Sequence, residues 1–582
     1  MPNTPRAKAL MIQGTSSSVG KSVMATALCR ILAQDGIKVA PFKAQNMSNN
    51  SYVTADGGEM GRAQVVQAQA AGVEPHTDMN PVLLKPEADF RSQVVVNGKP
   101  IGSFEARKYW GDQTEVWTAV TEAYDRLAAQ YDVIVLEGAG SPAEVNLRDR
   151  DIVNMKMAAY AEASIILVGD IDRGGVFASL LGTMELLLPE EQSLIKATLI
   201  NRFRGDIELL NPLPEMIAER TGIPVAGVVP FVYDLQVKDE DGVTFSDYHP
   251  SGVETRELSS GLLTTNKNQP EPRRKAARDA VPDSPYQQGR EPEGEFNRPS
   301  ANLQDVTNQP INIAVIALPR ISNHDDLDPF RRAGCRVKIV TTPNELTTAN
   351  IIIIPGSKST IADLRWMKSR GLDKAIVEAA NRNVTIVGIC GGYQILGKQL
   401  DDPDATETPE PQSELGIGLL PTKTVFDTTK TTRRVTIEIP AHETGPLKGD
   451  HATGTGYEIH TGITTDTETH LANLSDDLSS NSFSPGEKAR LKGNAESINP
   501  SPTSQPTRHD GTISPNAPII GTYVHGIFDS PEILRRLLNT TAEIHNLPQP
   551  TIEEFSMEAE YDRLAQITRE ALDMPLINSL IT

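Results

Sequence analysis

Positive charge is in short supply: 55 Lys and Arg stand against 76 Asp and Glu, leaving the 582-residue chain at −21. A general binder of nucleic-acid backbones needs a cationic face that displaces counterions, so that class is excluded. A local basic pocket for a small anion remains compatible with such a chain. Cysteine is scarce as well. Cys29, Cys335 and Cys390 lie in no CxxC pair, which argues against a disulfide framework or a cysteine zinc site and suits a reducing compartment. No apolar run approaches the roughly 20 residues of a spanning helix. The first residues, MPNTPRAKALMIQG, lack the apolar stretch of a signal peptide. The expectation is a soluble, cytoplasmic protein with no membrane span and no nucleic-acid partner. Internal repeats are absent, and the sequence carries no indication of oligomeric state.

What the chain does contain is alternation. Between residues 8 and 245, short apolar runs (KALMIQ, YDVIVLEG, ASIILVGD, KATLIN, VAGVVPF) are separated by helical stretches such as SVMATALCRILAQ. That pattern predicts a doubly wound, parallel α/β sheet. Residues 251–308 then turn rich in Pro and charge, with Tyr286 and Phe296 as their aromatics. Such a composition buries too little apolar surface to offset its ordering entropy and is expected to be a disordered linker. A second α/β pattern starts at INIAVIAL (311–318) and runs through CRVKIV, NIIIIPGS and VTIVGICGG to IIGTYVHGIF and a helical C-terminus. Within it, about 466–517 is Ser-, Asn-, Asp- and Pro-rich and is expected to be a disordered surface insertion. Length alone, at ~150 residues per domain, would suggest three or four domains. The linker and the insertion reduce the expectation to two, 1–250 and 309–582.

The first strand leads into Gly14-Thr15-Ser16-Ser17-Ser18-Val19-Gly20-Lys21-Ser22. Small residues let the backbone curl so that N–H groups point at phosphate oxygens. Lys21 can then reach the β/γ-phosphates, and the Ser22 hydroxyl can bind Mg²⁺ at the start of a helix. The spacing departs from the common phosphate loop, because Thr15 occupies the place of the first glycine. YDVIVLEGAGS sets Glu137 at the C-terminal end of an apolar strand, where open α/β sheets bind ligands and where a carboxylate can hold Mg²⁺ directly or through water. Asp170 and Asp172 occupy a similar strand end and can hold metal or orient a loop. Asn201 ends the strand of TLINRFRG and can read an adenine edge.

GTSSSVGKS, PFKAQNMSNNS, EGAGS and the Asn after LI together resemble the dethiobiotin synthetase-like ATPases, and among them the amidating synthetases of cobalamin biosynthesis. That resemblance implies that Thr15, Gly20, Lys21, Ser22, Lys43 and Asn201 serve ATP and that Ser22 and Glu137 serve Mg²⁺. KAQNMSNN (43–50), EMGRAQVVQAQAAG (59–72) and MNPVLLKP (79–86) are similar to the cobyric acid synthases in particular. Their amides, including Gln45, Asn46, Asn49, Gln64 and Gln67, can donate and accept hydrogen bonds without adding charge, which suits a large ligand bearing carboxylates and amides. Gln45, Asn46 and Asn49, with Asp170 and the later Tyr457, are the candidate substrate contacts.

In the second half, VTIVGICGGYQILG (384–397) places Cys390 between an apolar strand and a helix. A cysteine on such a bend presents its sulfur to substrate near a helix N-terminus. The backbone N–H of Gly391, with that of Gly356 in IIIIPGSKST, can form an oxyanion hole. Of ten histidines, His525 in IIGTYVHGIF stands directly after a strand and is the candidate base. This pair resembles the class I glutamine amidotransferases, with one departure. The usual acidic residue two positions beyond the histidine is replaced by Ile527. The cobalamin branch is similar in lacking it, which leaves open what orients His525. GTGYEIHTG (454–462), with Tyr457, Glu458 and His460, and LPRISNHDDLDPF (318–330) also resemble that branch.

The resemblance implies an ATP- and glutamine-dependent carbon–nitrogen ligase. Its substrate would be adenosylcobyrinic acid a,c-diamide, amidated at the b, d, e and g carboxylates to adenosylcobyric acid. The alternatives are the sister enzyme, cobyrinic acid a,c-diamide synthase, and a P-loop switch ATPase carrying an inactive amidotransferase-like domain. Such switches carry an extra lysine near the start of the loop, which Gly14-Thr15 lacks.

Overall fold

A computed structural model describes residues 6–88, 90–105, 109, 113–237, 310–465, 469–476 and 508–582. The expected linker, 251–308, and most of the expected insertion lie outside the described residues.

The apolar runs of the first half form a six-stranded parallel sheet. Its order is Val225–Pro230, Ile195–Phe203, Ser164–Asp170, Lys8–Gly14, Val133–Glu137, Val39–Phe42. The chain leaves Lys8–Gly14 towards one neighbour and later returns to the other, so the crevice beyond this strand's C-terminal end is a topological switch point. Gly14 and Glu137 both reach it, with Ile12 opposite Glu137 in register. Strand residues such as Leu10, Ile134 and Ile166 are at most 1% exposed, as expected of a parallel sheet covered on both faces.

In the second half, Asn312–Ile316 lies between Arg336–Val340 and Ile351–Ile354 in another parallel sheet. Thr385–Ile389 and Ile519–Thr522 follow, and Thr512–Ile513 adds an antiparallel edge. Both α/β sheets therefore match the predicted fold class. No helix among the described residues is long and apolar enough to cross a membrane.

Three features depart from the sequence expectation. Gln45–Met47, Val82–Ala88, Arg91–Val96 and Lys99–Glu105 form a further four-stranded sheet, and Lys423–Ile439 pairs with Ala452–Thr465 in a long antiparallel ribbon. Thr, Lys and Arg interrupt the apolar residues of Lys423–Ile439 (KTVFDTTKTTRRVTIEI), so it lacks the apolar run that marked the other strands. Second, the described margins of the expected insertion contain strands. Ala472–Asp476 pairs with Arg508–Asp510 and with the ribbon, and Asp510 is buried, accepting hydrogen bonds from Thr522 and the Tyr523 N–H. Third, the end of the chain leaves the second domain. Met557–Ala571 packs on Lys21–Gln34, where Tyr561 and Leu564 are buried with Ala27 and Val66. Leu572, Ile577 and Ile581 join the core around Leu10 and Ile12. Arg30–Asp562 and Arg569–Asp35 ion pairs flank this contact. The C-terminal residues thus complete the first domain's core, whereas the sequence pattern had assigned 309–582 to the second.

Candidate active site

At the switch point, the helix Lys21–Gln34 begins after Gly20, whose φ of +95° and whose approach to Asn201 leave no room for a side chain: a Cβ there would lie 2.2 Å from Asn201 Nδ2. The Asn201 amide donates to the Val19 carbonyl at 2.8 Å. Asn201 therefore braces the loop, a role the sequence pattern did not suggest. Thr15 N–H is tied to the Val168 carbonyl at 2.9 Å. Lys21 Nζ donates to the carbonyls of Ser16 (2.9 Å) and Gly140 (3.1 Å), so the ammonium hangs inside the loop where phosphate oxygens can replace carbonyl oxygens.

Glu137, 1% exposed, is the centre of this site. Its Oε1 accepts from Ser22 Oγ at 2.8 Å and Lys43 Nζ at 3.0 Å; its Oε2 accepts from Gln67 at 2.6 Å and Gln64 at 3.4 Å. Burial would raise its pKa, but Lys43 and these hydrogen bonds outweigh burial and hold the carboxyl below the usual range. A serine hydroxyl beside a buried carboxylate is a hard-oxygen donor set that fits Mg²⁺. No cluster of three or more acidic, His or Cys ligands exists among the described residues.

The amide-rich segments prove to be scaffolding. Gln45 and Asn46 are 6% and 2% exposed. Gln45 accepts from the Tyr109 hydroxyl, and Asn46 donates to Gln64 at 3.0 Å. Both are buried in polar contacts of the protein's own, and Asn46 is linked to Glu137 through Gln64. Asn49 is partly exposed, with a long contact to the Pro86 carbonyl at 3.4 Å. Asp170 pairs with Arg202 at 3.1 Å and Asp172 with Arg204 at 2.7 Å, which gives both the loop-orienting geometry.

In the second domain, Cys390 follows the strand Thr385–Ile389 with φ +51° and ψ −107°, a conformation rare for a side-chain-bearing residue and held by a 2.7 Å bond from its N–H to the Thr522 carbonyl. A Cβ on Gly391 would lie 2.9 Å from Ser357 N, and one on Gly356 would lie 3.1 Å from His525 Cε1. The two glycines expected for the oxyanion hole thus converge on the same corner. His525 is 1% exposed. Its Nδ1 lies 2.7 Å from Asp326 Oδ2, and Asp326 Oδ1 accepts the Gly526 N–H at 2.8 Å. Burial alone would lower the His525 pKa; Asp326 and the Cys390 thiol outweigh it and raise the value to about 10. Burial pushes the Asp326 carboxyl up, against the opposing pull of His525.

Asp326 answers what orients His525, and the sequence reading missed it. It arrives from the turn after Ile321–Ser322, far from His525 in the chain, so no local spacing could reveal it. Tyr457, a candidate substrate contact, does not line the cavity at Cys390. It is 3% exposed and stacks on His525 with ring centroids 5.4 Å apart. His460 does line the cavity at Cys390 and stacks on Tyr523, while Glu458 pairs with Arg433.

That cavity carries charges of both signs. Glu407 faces it, accepting from Thr360 Oγ1 at 3.1 Å and the Ile361 N–H at 3.2 Å; burial raises its pKa to about 7. Lys358 and Lys430 also line it. Its remaining wall comes from the first domain through Lys85 and Gln93. There, Glu59 is fully buried and holds Lys85 through one oxygen and Lys430 through the other, both at 2.5 Å. The Cys390 cavity therefore lies at the domain interface.

Comparison with known proteins agrees with this two-part layout. Residues 10–245 match the CobQ/CobB/MinD/ParA nucleotide binding domain family, and residues 312–533 match the CobB/CobQ-like glutamine amidotransferase domain family. Proteins named cobyric acid synthase align over nearly the whole chain. The one from Dehalococcoides mccartyi is 40% identical, covering 99% of this chain and 98% of its own. The one from Sorangium cellulosum is 41% identical, with 98% of each chain covered. The one from Clostridium botulinum is 40% identical, covering 98% of this chain and 99% of its own. With both domains matched and such identity from end to end, the chain belongs to the cobyric acid synthase family.

Proposed function

We propose that this protein amidates corrinoid carboxylates in cobalamin biosynthesis, with glutamine as nitrogen donor and ATP as the activating substrate. The observation that carries the reading is the pairing, in one chain, of a phosphate loop facing Glu137 with a Cys390–His525–Asp326 constellation whose cavity is closed by the phosphate-loop domain.

In the glutaminase half, Cys390 passes its thiol proton to His525, and the resulting thiolate Sγ attacks the side-chain carbonyl carbon of glutamine. The N–H groups of Gly391 and Gly356 receive the developing oxyanion. His525, held protonated by Asp326, gives its proton to the departing nitrogen, and the C–N bond breaks to release ammonia and leave a glutamyl thioester. His525 then takes a proton from water as its oxygen attacks the thioester carbon; the C–S bond breaks, glutamate leaves, and the Cys390 thiolate beside protonated His525 is restored. Glu407 and Lys358 supply the opposite charges that a zwitterionic amino acid needs at its α-ammonium and α-carboxylate.

In the synthetase half, a corrinoid carboxylate oxygen attacks the γ-phosphorus of ATP and ADP departs. Ammonia then attacks the acyl-phosphate carbon and inorganic phosphate leaves, so that an amide replaces each carboxylate. Lys21 and the loop N–H groups position the phosphates and stabilise their charge. Ser22 and Glu137 would hold Mg²⁺, whose chemistry when bound is neutralisation of phosphate charge. Lys43 keeps Glu137 ionised. Of the amide side chains, Asn49 is the candidate that remains for contact with substrate.

The substrate of this reading is adenosylcobyrinic acid a,c-diamide, amidated at the b, d, e and g positions. Incubation with that corrinoid, glutamine, ATP and Mg²⁺, followed by mass spectrometry, should show four hydroxyl-to-amide exchanges. Amidation of cobyrinic acid at its a and c carboxylates instead would establish the sister activity and overturn this one. The His525–Asp326 pair, with Cys390 and His525 lining one cavity, counts against an inert amidotransferase-like domain.

A further inference from the structure

The turn that carries Asp326 is gripped by the first domain. Asn323, at φ +53°, accepts the Ser51 N–H and donates to the Ser51 carbonyl, each at 3.3 Å, and the His324 N–H donates to Asn50 Oδ1 at 3.3 Å. Asp325 pairs with Arg62, its Oδ2 3.1 Å from Nε, with both side chains largely buried. Arg62 is the first residue of the helix Arg62–Ala70, and its N–H is anchored on the Asn50 carbonyl at 3.1 Å.

A second line of contacts runs from the same guanidinium. Arg62 lies over the Tyr52 ring at 4.9 Å. Tyr52 meets Tyr457 edge-on at 4.8 Å, and Tyr457 stacks on His525. Asn323 ties the two lines together by donating to the Tyr457 hydroxyl at 3.1 Å. Arg62 thus reaches both partners that fix the His525 ring, the Asp326 carboxylate and the Tyr457 face, while lying outside the cavity that contains Cys390.

We propose that Arg62 of the nucleotide-binding domain is a positioning residue of the glutaminase centre, aligning Asp326 through Asp325 and the His525 ring through Tyr52 and Tyr457. The inference rests on the reading of Cys390 and His525 as the glutaminase pair. It also gives the two reactions a shared rigid element, since the same helix carries Gln64 and Gln67 to Glu137. A lone amidotransferase domain would lack this support, because Arg62 and Tyr52 belong to the other half of the chain.

The test uses the full chain with Arg62→Met, Asp325→Asn, the double variant, Arg62→Lys and Cys390→Ala, measuring glutamine hydrolysis and ammonia-supported amidation. In both single variants kcat for glutamine hydrolysis should fall about tenfold, with KM for glutamine and the ammonia-supported rate unchanged. The double variant should lose no more than either single one, and Arg62→Lys should recover part of the rate. Wild-type kcat in both single variants overturns the inference, as do a rise in KM with kcat unchanged, an equal loss with ammonia, or additive losses in the double variant. Hydrolysis that persists in Cys390→Ala would instead overturn the underlying reading of the glutaminase pair, so the two failures are distinguishable.

Discussion

Asp326 holds two successive residues of the turn at His525: one carboxylate oxygen lies 2.7 Å from the imidazole Nδ1 and the other accepts the Gly526 N–H at 2.8 Å. The second bond fixes the backbone from which the ring projects, so the carboxylate sets position as well as charge. It supplies the acid that the chain lacks at Ile527.

Asp326→Asn should therefore reduce kcat for glutamine hydrolysis by about 10²-fold while leaving ammonia-supported amidation intact. The groups facing His525 are Asp326, Cys390 and the stacked Tyr457. With its pKa raised from 6.5 to about 10, His525 stays protonated through neutral pH. Its contribution to stability is full below 6.5 and is lost as pH rises through 10. Removing the carboxylate should move the alkaline limb of the hydrolysis profile to lower pH; an unmoved limb would show that Asp326 does not set the imidazole's charge.

Glu407→Gln should raise KM for glutamine about tenfold, the worth of one charged hydrogen bond, with little change in kcat. Burial, opposed by Lys358, holds the Glu407 pKa at about 7, and Asp402 also acts to raise it. In the native protein, protonation as pH falls through 7 should weaken glutamine binding. Steady-state kinetics should find that pH dependence of KM absent in the variant.

Lys43→Met leaves Glu137 buried without its cation. Loss of one partner of a buried pair costs about 3–5 kcal/mol, and the site loses its charge balance. Amidation should be abolished with either nitrogen donor, whereas glutamine hydrolysis continues. Equal loss of both reactions would contradict the division of labour between the two sites.

Much of this was legible in the sequence, and the exceptions share a cause. The phosphate loop, Glu137 and Cys390 sit at the ends of strands whose apolar runs are local signals. His525 could be singled out because it too follows such a run. Asp326 and Arg62 act only through contacts made across the chain, and the LPRISNHDDLDPF segment resembled its family without disclosing which acid turns inward. The amide-rich segments carried a compositional signal that fitted either a ligand surface or a buried network. Gln45, Asn46, Gln64 and Gln67 are buried, as members of such a network would be.

The return of the C-terminus to the first domain was hidden for the same reason. Tyr561, Leu564 and Ala565 form an ordinary amphipathic stripe whose partner surface no local pattern names. Leu564→Ala should destabilise the first domain by about 2–5 kcal/mol, visible as a lower melting temperature that nucleotide partly restores. A change confined to the amidotransferase domain in hydrogen exchange would contradict the packing described.

The most direct test of the central claim is mass-resolved corrinoid amidation by Cys390→Ala with either glutamine or ammonia. With ATP and Mg²⁺ present, the variant should produce no amide from glutamine and the full set of amides from ammonia. Amidation from glutamine at the native rate would contradict the account, since nitrogen would then reach the activated carboxylate without Cys390.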